Sequence, residues 1–198
     1  MKKVLIAVVA FVALMVLVTS AYIVNEDEYA CIKRFGKIID TKSSAGLYFK
    51  VPFMDSKFVF PKKKIVYDLQ PSNVLTKDKK AMVIDNYVIW QITDPLEFYK
   101  SVSMVSEAEK RLDAAVYNAV KNTMGTLEQS SIINEELSGR GALNEAVTKD
   151  VANQMKRYGI EVQDVEIKRF DLPSENEESV FKRMISEREK IAEQYVAE

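Results

Sequence analysis

The sequence predicts an α+β chain carried on an N-terminal transmembrane helix and ending in a long amphipathic helix. Three observations carry that expectation: an uncharged run over residues 4–24, an apolar period near two over residues 28–91, and helical periods that begin at Asp94. They divide the 198 residues into an anchor (1–24), a β-rich block (25–94), a mixed α/β block (95–173) and the start of a C-terminal helix (174–198).

The first run has 21 residues without a charge, marked along its length by Val4, Phe11, Leu17 and Val24. At about 1.5 Å per residue it spans roughly 31 Å as a helix, close to the hydrocarbon thickness of a bilayer. Lys2 and Lys3 precede it and Glu26, Asp27 and Glu28 follow it, so the charge bias places the N-terminus in the cytoplasm and the bulk of the chain outside the cell membrane. Thr19-Ser20-Ala21 offers a small-residue cut, but the apolar run continues through Tyr22-Ile23-Val24 and exceeds a signal's apolar region, which favours a retained anchor.

The block over residues 28–91 is punctuated by turn formers at Gly36-Lys37, Lys42-Ser43-Ser44, Pro52, Pro61 and Pro71-Ser72. Its clearest strand covers residues 81–92, with Met82, Ile84, Val88, Trp90 and Ile92 on one face, and residues 65–70 are placed to pair with it. Cys31, the single cysteine, is expected half-buried in an alternating strand. Lysines at 62–64 and at 77, 79 and 80 read as solvated turns. They lack the aromatic platform and the overall basicity of a nucleic-acid site.

Helical signals follow. Asp94 is an N-cap with Pro95 at the first helical position and Glu97 available to complete a capping box. Ser106 with Glu109 predicts a second box, ahead of a stripe of Ala108, Leu112, Ala115, Val116, Ala119 and Val120 that ends at Gly125. A further helix carries Leu143, Ala146, Val147, Val151 and Met155 to a stop at Gly159. Ile160, Val162, Val165 and Ile167 then form a strand with a phase slip near Gln163-Asp164. Ser174 and Glu177 open the last helix, where Phe181, Met184, Ile185, Arg188, Ile191 and Tyr195 mark a heptad-like seam that Arg188 interrupts. That seam fits either an oligomer interface or packing on its own domain. The helix has no stop signal before Glu198 and is expected to continue in the natural protein.

Composition excludes much chemistry. The chain has no histidine and one cysteine, which removes Ser-His-Asp triads, Cys-His pairs and the usual zinc sites. Beyond Lys3, 26 cations face 29 acids, near −3, which implies no polyanion partner. Nothing glycine-rich and no acidic metal loop marks a cofactor or metal site, and no motif sets a serine beside a lysine.

Three blocks resemble the stomatin/prohibitin/flotillin/HflK-HflC superfamily: Arg34-Phe35-Gly36-Lys37 followed by Gly46-Leu47-Tyr48-Phe49-Lys50-Val51-Pro52-Phe53; Leu75-Thr76-Lys77-Asp78-Lys79-Lys80 leading into Asp94; and Tyr158-Gly159-Ile160-Glu161-Val162 through Leu172-Pro173. The second block carries Lys79-Lys80 and Trp90, unlike the HflK branch, whose counterpart is typically a glycine-and-acid turn. The resemblance implies an SPFH (band 7) domain without catalytic residues, a scaffold that packs into closed assemblies on membrane lipid. It implies two kinds of assembly: alternation with an HflK-like subunit around an FtsH-type protease, or self-assembly as a stomatin-like organiser. Ala45 stands where the family commonly has proline, and the chain stops before the family's usual C-terminal helices.

Overall fold

The computed structural model describes residues 2–128, 132, 139–171, 185 and 186, apart from the side chains of 7–9, 12, 13, 139 and 140. Within these, α1 (Lys2–Ser20) leads into β1 (Ala21–Val24), β2 (Glu28–Arg34), β3 (Lys37–Lys42), β4 (Gly46–Phe49), β5 (Asp55–Pro61), β6 (Ile65–Asp68), β7 (Ser72–Leu75) and β8 (Ala81–Ile92). Then come α2 (Pro95–Ser101), α3 (Val105–Met124), α4 (Gly139–Met155), a 3-10 turn (Lys156–Tyr158) and β9 (Ile160–Asp171). The mixture of helix and strand is the α+β class expected.

The apolar N-terminal helix is shorter than its sequence suggested. It has 19 residues and ends at Ser20, and the last four residues of the run become β1. Val24, expected in the anchor, is 1% exposed and pairs with Gly46 of β4. The cause is tertiary: Tyr22 and Val24 alternate onto a core with Ala30 and Ile32, and a strand offers that alternation where a helix does not. On its described side chains no helix here is long and apolar enough to cross a membrane. The uncharged part of α1, residues 4–20, has a rise of about 26 Å, short of the roughly 30 Å hydrocarbon core of a bilayer.

The described residues group into two units. The first takes in residues 1–66, 89–111 and 152–163. It contains the β1-β4 ribbon and the three-stranded sheet β3-β2-β5. Because β2 is central, Ala30, Cys31 and Ile32 are all buried in succession, so Cys31 lies fully inside rather than on a half-buried alternating strand. Burial pushes its thiol pKa up. Phe60 meets Phe58 and Phe98 edge-on at 5.3 and 5.0 Å, and Phe58 meets Tyr99 at 5.0 Å, so an aromatic cluster ties β5 to α2. Asp94 caps α2, accepting from the amides of Leu96 and Glu97 at 3.0 Å. The box is not completed: Glu97 pairs with Lys100, and the Asp94 amide donates to the Gly159 carbonyl. Gly159 has φ +70, and a Cβ there would lie 2.3 Å from the Asp94 carbonyl oxygen.

Of the described residues, the second unit takes in 67–88, 112–128, 132, 139–151, 164–171, 185 and 186. β7 pairs with β8 antiparallel, from Ser72 opposite Ile84 to Leu75 opposite Ala81. β6 and β9 also pair with β8. The β7–β8 turn is closed by the Thr76 hydroxyl, which donates to Asp78 at 2.6 Å and accepts from the Lys80 amide at 3.2 Å. Lys79 sits at φ +60 there, a conformation glycine adopts freely. The α3 stripe is buried as expected, but the helix starts at Val105, so Ser106 lies inside the first turn rather than at the cap. On α4, Ala146 is exposed and Asn144 takes its place inside, where its amide reaches Glu166 of β9. The Thr148 hydroxyl accepts from the Val165 amide at 2.9 Å. The buried face of β9 slips phase between Val162 and Val165.

Candidate functional site

The exposed surface of the first unit is unusual at the end where α1 leaves it. The Lys50 amide donates to the Ser20 carbonyl at 2.8 Å and the Ser20 hydroxyl donates to the Lys50 carbonyl, so the last turn of α1 is stitched to the chain just past β4. In the ribbon, Tyr22 lies opposite Tyr48 and the rings stack at 5.9 Å on the inner face. On the other face Ile23 lies opposite Leu47 and Ala21 opposite Phe49, and Ile23, Leu47 and Phe49 are exposed. A half-buried ribbon normally alternates apolar with polar; this one is apolar on both faces.

Two loop tips extend that surface. Phe53 is 99% exposed with φ +67, and Phe35 is 84% exposed with φ +47. A bulky residue in the left-handed region stores on the order of 1 to 3 kcal/mol of strain and occurs where the surrounding structure enforces it. Here the enforcing group is Asp55. The Arg34 guanidinium donates to both of its carboxylate oxygens, at 2.6 and 2.9 Å, and the Val51 amide donates to it at 2.9 Å. Arg34 precedes the Phe35-Gly36 turn and Asp55 closes the 51–54 turn, so one carboxylate clasps both tips. The Arg34 guanidinium beside it holds the Asp55 carboxyl below the usual carboxylate range.

Val51 and Met54 are also exposed. Three phenylalanines at about 150 to 250 Å² each make an apolar area on the order of several hundred Å², more than isolated surface residues of a soluble protein present. Among the described residues no group of three or more His, Cys, Asp or Glu is placed to hold a metal. What this arrangement can do is contact an apolar phase.

Of the residues singled out from sequence, Val4, Phe11 and Leu17 are exposed on α1 and Val24 is in the β1 strand. Ile185 is helical and 57% exposed; Phe181, Met184, Arg188, Ile191 and Tyr195 lie outside the described residues, as does the Ser174/Glu177 box. Phe35 and Phe53 were not identified as site residues from the sequence. An aromatic beside each turn former, in Phe35-Gly36 and Pro52-Phe53, was the available signal.

The family model described as SPFH domain / Band 7 family matches residues 22–198. The chain belongs to the SPFH domain / Band 7 family. The SPFH match begins at Tyr22, the second residue of β1. Among SPFH relatives, the modulator of FtsH protease HflC of Escherichia coli is 30% identical, with 98% of this chain and 71% of the relative covered. Protein HflC of Borreliella burgdorferi is 31% identical, over 87% of this chain and 62% of the relative. Protein HflC of Buchnera aphidicola is 28% identical, over 97% and 68%.

Proposed function

We propose that the chain is a membrane-anchored scaffold subunit that assembles with an HflK-like partner and modulates a membrane protease of the FtsH type, with no catalytic residues of its own. The observation that carries the membrane part is the pair of strained, outward phenylalanines, Phe35 and Phe53, at the end of the unit where α1 departs. Burying about 500 Å² of such surface contributes roughly 10 kcal/mol in gross transfer, enough to hold that end against lipid beside an inserted α1. Lys37 and Lys50 flank the tips and suit lipid phosphates. Lys2-Lys3 before α1 supports a cytoplasmic N-terminus with the two units on the opposite side. The modulator role is supported by the name of the Escherichia coli relative.

The test of the membrane part is a polarity-sensitive fluorophore on Phe53→Cys in full chain reconstituted into vesicles, with buried Cys31 unreactive. Blue-shifted emission quenched by lipid-borne quenchers is expected, and water-like emission would reject the contact. The assembly part is tested by co-producing the chain with an HflK-like subunit and measuring mass in detergent. Ile185→Asp with Ile191→Asp is expected to abolish the large species while leaving the units folded. An unchanged mass would remove the terminal helix from the interface.

A further inference from the structure

Where the two phenylalanine tips stand, three strands of the first unit bring charges into one row. Lys37 of β3 lies opposite Arg34 of β2, and Asp55 of β5 lies opposite Arg34 on its other side. Directly opposed residues share a face of the sheet, and like charges so opposed are destabilising. The carboxylate of the row does not relieve Lys37. The Arg34 guanidinium takes both Asp55 oxygens, at 2.6 and 2.9 Å, and the Val51 amide donates to the second of them.

Lys50 adds another cation to this end. Its amide and carbonyl are both bonded to Ser20 at the last turn of α1, and its charge helps to hold the Asp55 carboxyl below its usual range. Among the described residues neither Lys37 nor Lys50 has a carboxylate partner, whereas Lys42 pairs with Asp40 and Lys57 with Glu28. Arg34, Lys37 and Lys50 thus share Asp55, which leaves an excess of two positive charges. That excess runs against a chain whose net charge is −1, so an anionic surface repels the chain on average and attracts this end of it.

The neighbouring residues narrow the partner. Phe35 follows Arg34 directly and Phe53 follows Lys50 by three positions, and both rings are exposed. An acidic protein segment or a free phosphate would satisfy the lysines and leave the rings uncovered. A phospholipid offers a charged headgroup and an acyl boundary together, at depths that a lysine and a phenylalanine on one loop reach at once.

We propose that this end of the first unit selects anionic over zwitterionic phospholipid, an inference that rests on the membrane contact proposed above. Lys37 and Lys50 receive the headgroup charge, and Phe35 and Phe53 enter the acyl boundary. Arg34 stays with Asp55 and holds both tips in place.

The test uses full chain with a fluorophore on Val51→Cys, reconstituted into vesicles of phosphatidylcholine and phosphatidylglycerol in equal amounts. Brominated acyl chains, which quench on contact, are carried first on one lipid and then on the other. An apparent preference of about tenfold for brominated phosphatidylglycerol is expected at low salt, shrinking at high salt. Each of Lys37→Gln and Lys50→Gln should lower the preference about threefold and the double variant should abolish it. Lys121→Gln, at an exposed lysine of the second unit, should leave it unchanged. Lys37→Gln is also expected to melt no lower than wild type, because it relieves the opposition to Arg34. Equal quenching by the two brominated lipids would overturn the selection and leave the contact standing, whereas no quenching by either would remove both. A preference that survived the double variant, fell equally in Lys121→Gln, or came with a lower-melting Lys37→Gln would also overturn the proposal.

Discussion

The first unit holds Phe35 and Phe53 outside its core, and the second buries the Asn86 side chain. Each breaks the usual sorting of apolar groups inward and polar groups outward, in opposite senses. The means differ as well. In the first unit the exposed rings are enforced by backbone strain and by a bidentate ion pair at Asp55, whereas in the second an amide oxygen without a donor among the described residues is tolerated beside a groove. A departure maintained at a cost needs a physical account, and its sign says of which kind: an uncovered apolar surface in one case, an unmet hydrogen-bond acceptor in the other.

Four variants break or sharpen that contrast. The largest effect is expected at Gly159, which belongs to neither departure. Gly159→Val places a branched Cβ at φ +70 against the Asp94 carbonyl oxygen and should cost more than about 3 kcal/mol, lowering the melting temperature by roughly 10 °C. A loss below about 1 kcal/mol would mean that the α2 cap is not a fixed point of the first unit.

Next comes the clasp. Asp55→Asn removes the charge that Arg34 and the Val51 amide satisfy and should lower stability by less than Gly159→Val does. The sign of its pH dependence follows from the depressed carboxyl pKa. The clasp contributes fully above the unfolded value of about 3.9, and its contribution is lost as pH falls through the lower folded value. Denaturant melts of wild type and Asp55→Asn should therefore differ at pH 6 and converge at acid pH. A difference that grew on acidification would reject the ion pair as its source.

Glu166 in the second unit has the opposite sign. Burial first, and then the neighbouring Asp164 charge, raise its pKa, so ionisation of Glu166 opposes folding as pH rises through the carboxylate range. Glu166→Gln is expected to stabilise the chain slightly at pH 7, by less than about 1 kcal/mol, with the gain vanishing at acid pH. Destabilisation at pH 7 would show that the Asn144 hydrogen bond requires the carboxylate.

The smallest stability effect is expected where the functional effect is greatest. Phe35→Gly with Phe53→Gly relieves two left-handed conformations while freeing the unfolded chain. The net change should lie between zero and about 1 kcal/mol of stabilisation. The same double variant should lose the lipid-quenched signal of a fluorophore placed at Val51→Cys. A destabilised protein that kept the signal would make the rings structural and the contact independent of them.

Sequence alone determined the periodic elements. The 81–92 strand, the α3 stripe from Ala108 to Val120, the Asp94 cap and the Gly159 stop depend on local chemistry and on spacings of two or three and four, which a chain carries wherever it folds. Family membership was legible for the same reason, in short blocks around turns. Tertiary structure decided what depends on covering. Residues 21–24 are as apolar as the helix before them and became a strand because β4 and the Ala30/Ile32 core were there to receive Tyr22 and Val24. Cys31 is buried between buried neighbours because β2 has a strand on each side. Neither pairing could be read from periodicity. Phe35 and Phe53 are separated by 18 positions and joined through Arg34 and Asp55, and Asn86 and Asp113 are separated by 27 and line one groove, since contact between distant segments is a property of packing.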